Sequence, residues 1–135
     1  MTKRKEYKEL ILSNVKRVDE IYDNSISPFK LLADEIKEGK KDLKINTVDF
    51  IIAKILTKEN RVYDLSRTDS FDVYVIGTFR KSFNPTLRVA EAFADFYLKQ
   101  GMMPKIIPIT KHGFMENPNI FVNKIKNGVL IYERR

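Results

Sequence analysis

Phe71-Asp72-Val73-Tyr74-Val75-Ile76-Gly77 is a short β-branched and aromatic run that ends on a glycine, and it reads as a strand. Asn84-Pro85 then opens a helix that closes at Gln100-Gly101. Lys105-Ile106-Ile107-Pro108-Ile109-Thr110 is a second strand, Asn117-Pro118 opens another helix closed by Gly128, and Val129-Leu130-Ile131-Tyr132 is the last strand. Proline fits the first helical turn, and glycine takes the left-handed position past the last. The second half therefore reads strand, helix, strand, helix, strand. This alternation implies an α/β (α+β) fold with a small mixed sheet of three to five strands.

Working back toward the N-terminus, Tyr7, Leu10, Ile11, Val15, Val18, Ile21 and Tyr22 recur at spacings of three and four, which predicts an amphipathic helix from about Lys5 to Tyr22. Ser27-Pro28 caps a second, short helix that runs to Gly39, with Phe29, Leu32 and Ile36 on its apolar side. Lys40 to Lys44 is a charged connection. Between Ile45 and Lys58 the residues Val48, Ile51, Ile52, Ile55 and Leu56 match the helical template, which favours a helix, although their β-branching also suits a buried strand. Arg61 to Leu65 is a short strand or turn, and Ser66 to Ser70 is loop. The helix from Pro85 to Gln100 confines its polar residues to one stripe, Arg88, Glu91, Asp95 and Lys99, so it is expected against the sheet and beneath the N-terminal helix.

At 135 residues the chain reads as one domain, residues 1–44 being a helical extension and 45–135 the core. No run approaches the ~20 apolar residues of a membrane helix, and the basic N-terminus has no apolar segment of the signal-peptide kind behind it. Without cysteine there is no disulfide framework, thiolate nucleophile or cysteine-ligated zinc. A cytoplasmic protein is the simplest expectation, and the abundance of Lys, Ile and Glu is compatible with a thermophile.

The net charge of +7 is uneven: residues 1–72 carry 15 basic against 14 acidic side chains, and residues 73–135 carry 10 against 4. A basic excess of this kind points to a phosphate-bearing partner, nucleotide or nucleic acid, or else to a solubilising surface. Arg80 and Lys81 follow a strand and precede a helix start, where an anion meets backbone N–H groups and positive charge together. Lys105 and Lys111 extend the candidate phosphate-binding set. Phe79 and Phe83 are expected in the core rather than stacked on bases. His112, the one histidine, falls in an expected exposed turn, and Arg134 and Arg135 read as a frayed terminus.

With Asp72 at the head of one strand, and Asn117 to Tyr132 giving a short helix, a glycine and a closing apolar strand, the chain resembles the minimal nucleotidyltransferases, small relatives of the polymerase-β superfamily. The resemblance covers about residues 70–133. It implies a carboxylate pair in Asp-x-Asp spacing, often a third carboxylate on the next strand, and Mg²⁺ held between them and the nucleotide phosphates. Here Asp72 keeps one position, Ser70 takes the other, and the third falls at about Lys105. The family's Gly-Ser turn would lie near Lys58-Glu59-Asn60, which contains neither residue. The expectation is a catalytically degenerate binding module with a basic surface for nucleotide, nucleic acid or a protein partner, and no cofactor. The alternative is an active enzyme that transfers a nucleoside monophosphate to protein or RNA, with Asp72 as one Mg²⁺ ligand. The resemblance also implies a small helical partner of the HEPN type, as in toxin–antitoxin pairs, and the apolar helices would allow a homodimer.

Overall fold

The structure, a computed structural model, describes residues 3–21, 27–38, 48–54, 70–79, 89–91, 93–94 and 103–134. In chain order the elements are α1 (Lys3–Leu12), β1 (Val15–Arg17) followed by a 3-10 turn over Val18–Glu20, α2 (Ser27–Lys37), β2 (Val48–Lys54), β3 (Ser70–Gly77), β4 (Met103–Thr110), α3 (Lys111–Glu116), α4 (Pro118–Ile125) and β5 (Gly128–Glu133). The strands form one open mixed sheet in the order β1-β5-β2-β3-β4. β1 is parallel to β5 and β3 to β4, whereas β2 runs antiparallel to both of its neighbours. The fold is thus the expected α+β class. Among the described residues no helix is long and apolar enough to cross a membrane.

Alternation along β3 divides the core into two layers, because successive strand residues point to opposite faces. Phe71, Val73 and Val75 face a cluster with Phe29 and Leu32 of α2, Val89 and Phe93. Tyr74 and Ile76 face a second cluster with Tyr7 and Ile11 of α1, Phe114 of α3 and Ile125 of α4. Edge-to-face ring pairs hold each layer: Phe29 on Phe71 at 5.1 Å, and Tyr7 on both Phe50 and Phe114 at 5.8 and 5.9 Å.

The segment favoured as a helix on its periodicity is strand β2. Val48, Phe50, Ile51, Ile52 and Ala53 are all fully buried because β2 is sandwiched between β5 and β3 with both faces covered. A strand buried on both sides has no alternation to show, so spacing alone imitates a helix. The N-terminal helix is also shorter than its pattern. It stops at Leu12, where Asn14 Nδ2 donates to the Leu10 carbonyl at 2.6 Å, and Val15 to Arg17 then pair with β5. Ser70 begins β3 instead of closing a loop. Val89 to Glu91 and Ala94 are helical as expected, but Val89 and Phe93 pack in the α2 layer, on the opposite side of the sheet from α1. The readings made for residues 40–44, 55–69 and 80–88 lie outside the described residues.

The link from α4 to β5 is closed by local chemistry. Asn127 adopts φ 66°, the left-handed region that asparagine tolerates better than most residues, and its N–H donates to the Asn14 carbonyl at 2.9 Å. Gly128 follows where β5 passes close to β2. A Cβ there would lie 2.6 Å from Ile52 Cγ2 and 2.9 Å from the Ile125 carbonyl oxygen.

Candidate phosphate-binding site

Register brings three charged side chains into one row. Asp72 of β3 pairs directly with Lys54 at the end of β2 and with Lys105 near the start of β4. Residues paired across strands share a face, and this one also carries Tyr74 and Ile76. The Tyr74 hydroxyl donates to Asp72 Oδ2 at 3.4 Å. Lys54 Nζ donates to the carbonyl oxygens of Lys124 at 2.8 Å and Asn123 at 3.4 Å, so the ammonium also closes the carbonyl end of α4. Lys105 is exposed, and no described side chain pairs with it. Lys124 and Lys126 are exposed at the same end of α4, Lys124 lying 5.7 Å from the centre of the Phe121 ring.

The titration behaviour of the row follows from its surroundings. Burial lowers the Lys54 ammonium from its ordinary value, with the Asp72 charge opposing that effect. Burial, then the Asp72 charge and hydrogen bond, push the Tyr74 hydroxyl up to about 12. Two ammonium-bearing strands thus flank the single carboxylate. A pair of divalent cations at this point would face Lys54 and Lys105, with Asp72 as the one acidic ligand in the row. Among the described residues this row does not supply the converging carboxylates that a two-metal site needs. Among the described residues no group of three or more His, Asp or Glu side chains converges in a way that could hold a metal ion.

The candidate phosphate contacts do not all meet. Lys105 and Lys111 stand at opposite ends of β4, roughly 20 Å apart at ~3.3 Å per residue. Arg80 and Lys81 lie outside the described residues. Lys111 Nζ sits 5.1 Å from the centre of the Tyr7 ring. His112 lies on α3 rather than in a turn: Thr110 caps this helix by accepting the Gly113 N–H at 2.9 Å. His112 Nε2 meets Glu116 Oε1 at 2.9 Å with 84% of its side chain exposed, a surface i, i+4 pair. Phe79 packs on the α2-side core, as expected.

At the Lys111 end of the sheet lies a polar cluster that sequence reasoning missed. Asp49 occupies the irregular step of β2 between Val48 and Phe50, and it is buried at 8% exposure. The Tyr7 hydroxyl donates to Asp49 Oδ2 at 3.0 Å, and Arg134 Nη2 meets Oδ1 at 3.0 Å. The Arg134 N–H also donates to the Asp49 carbonyl at 2.8 Å. Arg134 is therefore anchored, not frayed. Burial and the Asp49 carboxylate hold the Tyr7 hydroxyl far above the usual tyrosine range. With both carboxylate oxygens of Asp49 paired inside the protein, the cluster fixes α1 and the end of β5 to β2. The signal for Asp49 was a carboxylate inside an apolar run, which has to find a partner when buried.

Comparison with known proteins adds no relative: no protein-family model, no curated protein and no solved structure matches the chain.

Proposed function

We propose that this chain is a nucleotidyltransferase-like binding module that takes the phosphate of a nucleotide or nucleic acid on the edge formed by Lys54, Lys105 and the end of α4, without metal catalysis. One observation carries the reading: the register that seats Lys54 and Lys105 on either side of Asp72. Where the resemblance would have carboxylates gather Mg²⁺ around phosphate, ammonium groups supply the positive charge directly. The α4 carbonyls hold Lys54 in place, and the Asp72 charge only offsets part of the effect of burial on its ammonium. The active-enzyme alternative needs at least a second carboxylate in the row, and position 105 supplies a cation.

Isothermal titration with ATP and CTP, each with and without Mg²⁺, tests this. Binding is expected to be independent of Mg²⁺ and weakened about fivefold by Lys105→Ala, the equivalent of one partly screened charge contact. Asp72→Asn is expected to leave anion binding nearly intact. Binding that requires Mg²⁺ and is lost in Asp72→Asn would overturn the reading in favour of a metal-dependent transferase. If neither nucleotides nor nucleic acids bind, the basic edge belongs to a protein partner, such as the small helical protein that the resemblance implies, or to a second copy of the chain. A second copy is not expected to add a strand at β4, where Pro104 and Pro108 lack the N–H that strand addition uses.

A further inference from the structure

On the α2 side of the sheet, away from the Lys54–Lys105 row, a cleft of about 380 Å³ opens between α2 and the β1–β5 edge. That is far more room than one water needs, and it falls within the size range of small-ligand pockets. Its floor is apolar and aromatic, formed by Val18, Ile36, Ile131 and Tyr132. Two ion pairs form its rim: Arg17 Nη1 meets Glu133 Oε1 at 2.9 Å, and Lys37 Nζ meets Asp19 Oδ2 at 3.9 Å.

One carboxylate is left over. Asp34 lines the same cleft from α2 and has no described side chain as partner. Of the described ionised groups that line the space, Asp19, Asp34 and Glu133 are acidic and Arg17 and Lys37 basic. Both cations are already engaged with carboxylates of the rim. In a protein with net charge +7, the described lining of this cleft therefore carries a local surplus of negative charge beside an apolar floor. An anion would meet Asp34 and would have to break an ion pair to find a cation. A neutral apolar molecule would leave Asp34 unanswered.

We propose that this cleft binds a small organic cation, an ammonium or guanidinium group on a short aromatic or aliphatic body. The cationic group pairs with Asp34, and the body lies on Ile36, Ile131 and Tyr132, the ring of Tyr132 offering its face to positive charge. The site shares no residue with the phosphate-binding edge, so each of the two stands or falls alone.

The test uses three probes of one shape that differ in charge: phenethylamine, 2-phenylethanol and 3-phenylpropionate, titrated into the ¹⁵N-labelled full chain. Phenethylamine is expected to shift the amide signals of Asp19, Asp34, Lys37 and Tyr132 at millimolar concentration. The alcohol should bind about tenfold more weakly, the value of one charge-assisted contact of ~1.4 kcal/mol, and the carboxylate should not bind there. Asp34→Asn is expected to bring the amine down to the affinity of the alcohol, while Glu38→Gln, outside the cleft, changes nothing. If Asp34→Asn does not fold, the comparison of amine with alcohol in the unmodified protein still decides. Equal binding of amine and alcohol, binding of the carboxylate to the same residues, unchanged affinity in a folded Asp34→Asn protein, or no cleft shifts with the amine would each overturn the proposal.

Discussion

Replacing Asp49 by alanine removes two partners of different worth. The Tyr7 side chain is 1% exposed, so its hydroxyl would lose its acceptor in a place that water does not reach. An orphaned buried donor costs about 1–3 kcal/mol. The pair with Arg134 is 42% exposed on the arginine side, and solvent screening holds its loss to about 0.2–1 kcal/mol. Asp49→Ala is thus expected to cost about 2–3 kcal/mol, which for a chain of this size lowers Tm by roughly 8–12 °C. Tyr7→Phe deletes the hydroxyl while keeping its ring contacts with Phe50 and Phe114, at a cost of about 1 kcal/mol. Once the hydroxyl is gone, removing Asp49 forfeits only the Arg134 pair. Urea unfolding of the wild type, both single variants and the double variant closes the cycle, and the expected coupling is about 1–2 kcal/mol. Additive single effects would refute this account of how α1 is fastened to the sheet.

Three further outcomes are expected. Lys105→Glu should reduce the slope of nucleic-acid affinity against salt by about one unit, measured by fluorescence anisotropy over a salt series; an unchanged slope would remove Lys105 from the interface. Tyr74 is held at about 12 in the folded chain against 10 unfolded, so the stability it supplies is complete below pH 10 and disappears as the pH rises through 12. Tyr74→Phe should therefore flatten part of the alkaline fall in the urea midpoint, and an unaltered pH profile would count against the raised value. Gly128→Ala should cost about 1–3 kcal/mol by chemical denaturation, because its Cβ would press on Ile52 Cγ2 at 2.6 Å and on the Ile125 backbone.

Much of the fold could be read wherever a strand or helix has one dry and one wet side or a clear stop. The starts at Ser27-Pro28 and Asn117-Pro118 and the runs at β3, β4 and β5 were legible for that reason. Reading failed where burial removed the contrast. Val48 to Lys54 is dry on both faces, and its β-branched composition was a better guide than its spacing. It failed again where periodicity outlived its helix: Val15 and Val18 continue the α1 pattern by count, yet one lies on a strand and the other begins a 3-10 turn, and they fall in opposite core layers. The candidate site was half legible. Asp72 and Lys105 could be named from one strand each, but Lys54 joins them only through strand pairing, which no local pattern carries. Asp49 and Arg134 stand far apart in sequence, and an arginine next to the last residue looks the same whether it is anchored or free.

The placement of β5 has a consequence for how the protein comes into being. The sheet order puts β5 between β1 and β2, and among the described strands β1 pairs with β5 alone. During synthesis β1 therefore leaves the ribosome long before its neighbour exists, and β2 offers an open flank until β5 follows. Closing that gap brings Val15 beside Gly128, partners far apart in sequence, a slow search by loop-closure entropy. A transcript cut short before Gly128 would yield a chain with its central strand uncovered.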